Sequence, residues 1–370
     1  MHRVEQLNIG IVGVVGRGSA FRAAFEGHPA AHVLAVCDIQ VDRLPQAAES
    51  YGAAEMYSDY EEMLQSSELD AVVIGTPMHL HAAQSILALE RDLHVLCEVT
   101  AGVSIDECRA LVAAAKSSRG VYMMAENCNY TKPNVLVREL VRRGLFGEVY
   151  YAEGEYLHEL KALNEITPWR RRWQTGIDGI TYPTHSLGPI LQWMPDQRVT
   201  RVCCEGSGHH YVDPRGDRYE NQDSMVMLAK TDKGSLIKIR VDMLSSRPSA
   251  LTYGLQGTRG CYESARSGLE PNKIWLAELA PNPNTWLKLE SLEGEYLPDI
   301  WRNPPEAAIR AGHDGGDYFE VLDFVTSIVE GTPCPIGIHE AMDMTLPGLI
   351  SQASVMQQGA WLDVPDSRLW

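Results

Sequence analysis

The chain has 370 residues, 45 % of them hydrophobic and 22 % charged, and its 49 acidic against 32 basic residues leave a net charge of -17. Such a length exceeds what one hydrophobic core ordinarily supports and predicts two domains. The acidic surplus repels a phosphate backbone, which excludes nucleic acid as the expected partner, and no apolar run nears the roughly 20 residues of a membrane helix, which excludes a membrane span.

Taken in chain order, residues 1–130 alternate apolar runs with amphipathic stretches. NIGIVGV precedes a helical pattern at 18–27, HVLAVCD one at 41–51, AVVIGT one at 79–90 and HVLCE one at 104–117, before VYMMAE closes the series. Near-continuous apolar strands separated by amphipathic helices predict βαβ units and a doubly wound parallel sheet. After a predicted helix at 132–143 the strands lengthen and alternate, as in EVYYAEGEYLH, RVTRVCCEG, DSMVMLAKT and SLIKIRVDML. The MVMLAK and SLIKIR runs joined by TDKG predict an antiparallel hairpin turned at Gly234. A second domain over 131–370 is therefore expected to be an α+β unit built on a large, mainly antiparallel sheet. Helices are predicted at about 316–330 and 339–357, and the Pro- and Gly-rich stretch between 266 and 315 yields no assignment.

Eight scattered cysteines without a CxxC pair resemble neither a disulfide framework nor a zinc site. With a strand pattern beginning close to Met1, no export leader is expected, and the expected location is the cytoplasm.

The turn after the first strand reads GVVGRGSAF, with Gly13, Gly16 and Gly18, and Asp38 ends the second strand. This spacing at a strand-to-helix turn predicts a dinucleotide site. Backbone N–H groups around Val15, Gly16 and Arg17 face the pyrophosphate while Asp38 accepts from the adenosine ribose. An anionic Asp38 repels a ribose phosphate, so NAD is expected over NADP. Val15 stands where the GxGxxG pattern has glycine, which leaves open a doubly wound domain without nucleotide. Ligands of open α/β sheets lie beyond the carboxyl ends of strands, so GTPMHLH, with Thr76, Pro77, His79 and His81, and CEVTAG, with Glu98, join the predicted cofactor site. For His79 and His81 the simpler reading is a helix start with solvent-facing imidazoles. Glu98, ending an apolar strand, needs a partner.

On the Rossmann loop, AVCD, GTPMHLHA and HVLCEVTAGVSIDEC, the chain resembles the Gfo/Idh/MocA oxidoreductases. The resemblance implies an NAD(P)-binding first domain, a sugar or polyol-like substrate and self-association through the open sheet of the second domain. Many of those dehydrogenases carry EKP where this chain has Glu98, Val99 and Thr100, and a valine can neither give nor take a proton. The segments EVTAG, MMAENCNY, GLFGEVYYAEGEYLHEL, GITYPTHSLGPI and HDGGDYF are more similar to glycoside hydrolase family 109, whose members use bound NAD in a glycosidase reaction. That resemblance implies catalytic roles for Tyr182 and His185. The spacing alone fits equally a helix entry with a core tyrosine and a capping histidine.

His185 is the expected hydroxyl base, since histidine ionises near neutral pH, and Tyr182 is expected to remove a carbon-bound proton. Trp169, Arg170 and Arg172 of the WRRRW run are expected to stack on and hydrogen-bond a sugar, or else to form a solvated loop. Asn127 is assigned to the cofactor and Asn129 and Tyr130 to the substrate. His158, His209, His210, His313 and Asp317 have no convincing ligand spacing, and no catalytic metal is expected. The first reading is a carbohydrate dehydrogenase; a redox-neutral NAD-dependent glycosidase is the alternative. A non-catalytic NAD-sugar sensor, prompted by Val99, is the third.

Overall fold

In the computed structural model, which describes residues 6–370, the apolar runs of the first third become six strands. They are β1 (Leu7–Val12), β2 (Ala31–Cys37), β3 (Glu55–Tyr57), β4 (Ala71–Ile74), β5 (His94–Glu98) and β6 (Tyr122–Ala125), all paired in parallel in the order β3-β2-β1-β4-β5-β6. Every residue of β4 and β6 is buried, as expected of parallel strands covered on both faces. The order reverses between β1 and β4, which opens a crevice at the carboxyl ends of those strands. Helix Ile105–Ser117 starts where Ser104 accepts the Glu107 N–H, and Tyr60–Ser66 where Asp59 accepts that of Glu62.

The chain divides into two compact units, and the division is not a single cut. A boundary near residue 130 keeps everything after it together, yet Pro304–Met342 and Ser367–Trp370 belong with the first unit. Packing explains the return: a Cβ added at Gly27 would collide with Ala307, one at Gly316 would meet the Asn127 carbonyl at 3.1 Å, and the Met124 N–H donates to Ile336 O at 3.0 Å.

The second unit is built on nine strands: β7 (Val149–Leu157), β8 (Val199–Gly206), β9 (Ser224–Thr231), β10 (Leu236–Asp242), β11 (Ala250–Gly257), β12 (Gly260–Glu263), β13 (Lys273–Leu276), β14 (Leu287–Lys288) and β15 (Leu362–Asp363). Their order is β14-β13-β12-β11-β7-β10-β9-β8-β15, antiparallel except for β7 against β10. The β9–β10 hairpin turns at Gly234, whose φ of 84° suits glycine. Helix Thr184–Trp193 lies on one face of this sheet. Any side chain at Gly154 of β7 would strike the Ser186 carbonyl, and buried Trp193 meets Tyr253 and Tyr262 edge-on at 5.6 and 5.7 Å. No helix among the described residues is long and apolar enough to cross a membrane.

Candidate active site

The turn after β1 is shaped by glycines that allow no side chain. A Cβ at Gly13, where φ is 79°, would sit 2.6 Å from the Gly75 carbonyl group, and one at Gly18 would sit 2.8 Å from the Gly13 oxygen. Gly75, just after β4, is equally confined, because its Cβ would meet the Gly18 nitrogen at 2.6 Å. Three backbone segments thus pack directly at the crevice, as a dinucleotide turn requires. Gly16 is under no such constraint, having only the Gly13 oxygen at 3.6 Å. The residue that breaks the glycine pattern, Val15, keeps its backbone in use: its N–H donates to Asp38 Oδ2 at 2.9 Å, while Gln40 N–H donates to Oδ1 at 2.9 Å. Asp38, just after β2, is thereby fixed as an acceptor, and its remaining lone pairs suit ribose hydroxyls.

Arg17 turns inward. Its Nε–H donates to Glu98 Oε1 at 2.6 Å and its two terminal nitrogens donate to the Asp317 carboxylate at 3.2 and 2.9 Å. Glu98, at the end of β5, has the partner its burial demands. Burial disfavours the Arg17 charge, but Glu98 and Asp317 outweigh it and hold its pKa above the ordinary arginine value. Asp317, fully buried, is pulled below the usual carboxylate range despite its burial, by hydrogen bonds from His313 and Arg17. The HDGGDYF segment therefore serves as the anchor of the phosphate-loop arginine.

His81 is neither solvent-facing nor a surface cap. It is 1 % exposed, and both ring nitrogens face carbonyl oxygens, Nδ1 to Thr100 O and Nε2 to Thr76 O, each at 2.8 Å. Carbonyls only accept, so both contacts are hydrogen bonds only when the ring is an imidazolium. Burial opposes that charge, yet the Cys97 sulfur and the two carbonyls raise the pKa to about 9. The clamp joins the loop after β4, with Thr76 and Pro77, to the turn after β5. His79 is half-buried in the same loop.

Beyond β6 a short turn, Asn127–Tyr130, buries all four of its residues. The Asn127 Oδ1 faces the Cys128 thiol at 3.5 Å. Asn129 is 1 % exposed, and neither its amide oxygen nor its nitrogen has a hydrogen-bond partner among the described residues. Tyr130 is buried beside it.

In the second unit, Tyr182 and His185 lie at the start of helix Thr184–Trp193, their rings edge-on at 4.9 Å. Two residues from the end of β7 join them. Tyr156 lies 5.6 Å from the Tyr182 ring and 5.3 Å from that of His185, and its hydroxyl is 2.7 Å from His158 Nδ1. The Tyr253 hydroxyl donates to the His185 carbonyl at 2.6 Å and fixes the helix start from β11. Burial first, and then the neighbouring Arg170, lower the His158 pKa from the ordinary histidine value. The structure thus assembles two phenols and two imidazoles; from sequence, catalytic roles are expected for one of each, and His158 is weighed only as a metal ligand. A signal for the others was present in EYLHEL, where alternation along β7 turns Tyr156 towards the helix face that holds Gly154.

The WRRRW run is a short helix, Trp169–Trp173. Arg170 stacks on Trp169 at 4.4 Å, and bonds Thr167 and Gln174. Arg172 is exposed, with its guanidinium 5.1 Å from the Trp173 ring, and lines a separate groove with Arg171, Asp213 and Arg215. Arg170 of this run bears electrostatically on the phenol–imidazole cluster through His158.

Comparison with known proteins agrees with the folds of both units. Residues 7–126 match the model for the oxidoreductase family with an NAD-binding Rossmann fold, and residues 130–368 match that for the glycosyl hydrolase 109 C-terminal domain. A glycosyl hydrolase family 109 protein of Saccharopolyspora erythraea is 30 % identical over 400 residues, covering 98 % of this chain and 83 % of its own. An alpha-N-acetylgalactosaminidase of Shewanella oneidensis is 27 % identical over 397 residues, covering 98 % and 85 %. A solved levoglucosan dehydrogenase in complex with NADH and L-sorbose shares the fold, with a TM-score of 0.81 at 20 % identity over 98 % of this chain and 100 % of that one. The first unit is an NAD-binding Rossmann domain.

Proposed function

The chain belongs to glycosyl hydrolase family 109, and from that premise we propose that it cleaves a glycosidic bond by a redox-neutral route that uses NAD. The observation that carries the reading is the packing of Tyr182 against His185 at 4.9 Å, with Tyr156 and His158 closing the cluster. NAD, when bound against the glycine cradle and Asp38, supplies the hydride acceptor and donor that this chemistry needs.

His185 takes the proton of the sugar hydroxyl as that carbon is oxidised. The resulting carbonyl acidifies the neighbouring carbon–hydrogen bond, and Tyr182 takes that proton. The electron pair left on carbon forms a double bond and expels the aglycone from the next carbon. Water then adds at that position, and both protons return as the carbonyl is reduced, so no oxidant is consumed. Tyr156 and His158 orient the two bases, and Arg170 favours the neutral form of His158. Trp169 and Arg170 remain our proposed sugar contacts in the second unit, and Thr76, Pro77, His79 and Asn127 remain proposed cofactor residues in the first.

The first substrate to test is an aryl N-acetylhexosaminide, since one relative is named an alpha-N-acetylgalactosaminidase. Aglycone release without accumulating NADH supports the proposal. Keto-sugar formed in step with NADH assigns a net dehydrogenase, and binding of both ligands without turnover assigns a sensor. We further propose a reducing cytoplasmic setting, supported by eight free cysteines. Self-association through the nine-stranded sheet is proposed on exposed Val226 and half-exposed Leu228 and Trp275, and a monomeric mass by light scattering would refute it.

A further inference from the structure

Behind the phosphate loop lies a second acid that the reaction does not use. Glu320 is one turn along helix Gly316–Glu330 from Asp317, has no exposed surface, and neither carboxyl oxygen has a hydrogen-bond partner among the described residues. The groups that bear on it come from every side: Asp317 on its own helix, Glu98 at the end of β5, Glu126 beyond β6, and Arg17 from the loop. His313 faces the same cluster through Asp317, whereas Arg22 and Glu26 on the adjoining helix pair with each other at 3.8 Å. Arg17 already divides its charge between two carboxylates, 2.6 Å from Glu98 and 2.9 Å from Asp317. A third carboxylate there has no cation left to meet, and an unpaired buried charge is costly.

We propose that Glu320 is a positioning residue for the cofactor loop: as an uncharged acid it leaves Arg17 bound to Glu98 and Asp317, and as a carboxylate it competes for Arg17, so that one buried proton gates NAD binding. Arg17 lies between Gly16 and Gly18, so a shift of its side chain moves the backbone that faces the pyrophosphate. Burial, followed by the negative charges of Asp317 and Glu98, pushes the Glu320 pKa well above the ordinary carboxylate range, and Arg17 pulls the other way. The inference requires only that the first unit binds NAD and is independent of the net reaction.

The experiment compares NAD affinity of the full chain across the alkaline range with that of Glu320→Gln and Glu320→Met, two neutral replacements of similar size. The wild type is expected to lose about tenfold more affinity than either variant as pH rises, corresponding to about 1.4 kcal/mol, and both variants match the wild type at neutral pH. Thermal unfolding supplies a second readout. A raised folded-state pKa means that stability is full below the unfolded value and falls as pH rises towards the folded one, so each variant should lack that part of the decline. The same alkaline loss of affinity in the variants would overturn the proposal. So would a folded Glu320→Gln protein that binds NAD poorly at neutral pH, or failure of both variants to fold, since the proposal treats a neutral side chain here as native-like.

Discussion

Arg17 and Asp317, 300 residues apart in sequence, meet through two hydrogen bonds of 3.2 and 2.9 Å, with the carboxylate fully buried. The contact makes the carboxyl-terminal segment a structural part of the NAD-binding unit. Asp317→Asn keeps the shape but leaves Arg17 with one carboxylate. A loss of about 3 kcal/mol in unfolding free energy is expected, with weaker NAD binding, as for a buried pair that loses one partner. Urea unfolding and NAD titration of the variant check both, and an unchanged midpoint would show that the pair contributes nothing.

His81 gives a signed pH dependence. Its folded pKa is raised to about 9 from 6.5, so the stability it contributes is fully present below 6.5 and is lost as pH rises through about 9. The loss amounts to at most about 3 kcal/mol. His81→Phe removes both donors, strands the Thr76 and Thr100 carbonyls and costs about 2–5 kcal/mol below neutrality. The measurement is the pH profile of unfolding free energy for both proteins, and the gap between them should narrow above the folded pKa, where the neutral ring keeps one of its two donors.

Asp38 is proposed to set cofactor choice. Asp38→Ala removes the acceptor for the Val15 and Gln40 N–H groups, and NAD affinity is expected to fall by at least tenfold. Asp38→Asn retains an acceptor and loses the charge, so discrimination against NADP should narrow while NAD binding weakens less. Parallel titrations with NAD and NADP give the ratio directly.

The lowered pKa of His158 places its protonation on the acid side of the ordinary histidine range, with burial as the leading cause and Arg170 next. Arg170→Gln should therefore move the acid limb of kcat/KM towards neutral pH. Ring NMR of His158 in the same variant should follow in the same direction, and a fixed limb would separate His158 from the reaction.

The parallel sheet, the hairpin at Gly234 and the helix Gly316–Glu330 were legible because period and turn chemistry are local properties. Strand β3 and helix Tyr60–Ser66 were not, since a three-residue, half-buried edge strand leaves no apolar run. The glycine cradle, Asp38, Tyr182 and His185 stand out in sequence because each sits in a motif. Tyr156 and His158 also lie in a segment quoted for the family resemblance, GLFGEVYYAEGEYLHEL, but nothing in it assigns them chemistry; strand alternation and the approach of helix Thr184–Trp193 over Gly154 bring them to that pair. The return of residues 304–342 to the first unit depends on packing with Gly27 and on the Met124–Ile336 bond, neither of which has a sequence signature.

The central claim is tested most directly by following aryl glycoside turnover with NAD in the wild type, Tyr182→Phe and His185→Ala, recording aglycone and NADH together. The wild type should release aglycone with no net NADH, and each variant should lose about 10²–10⁴-fold in kcat while binding NAD as before. Full turnover in both variants, or NADH rising in step with product in the wild type, would contradict it.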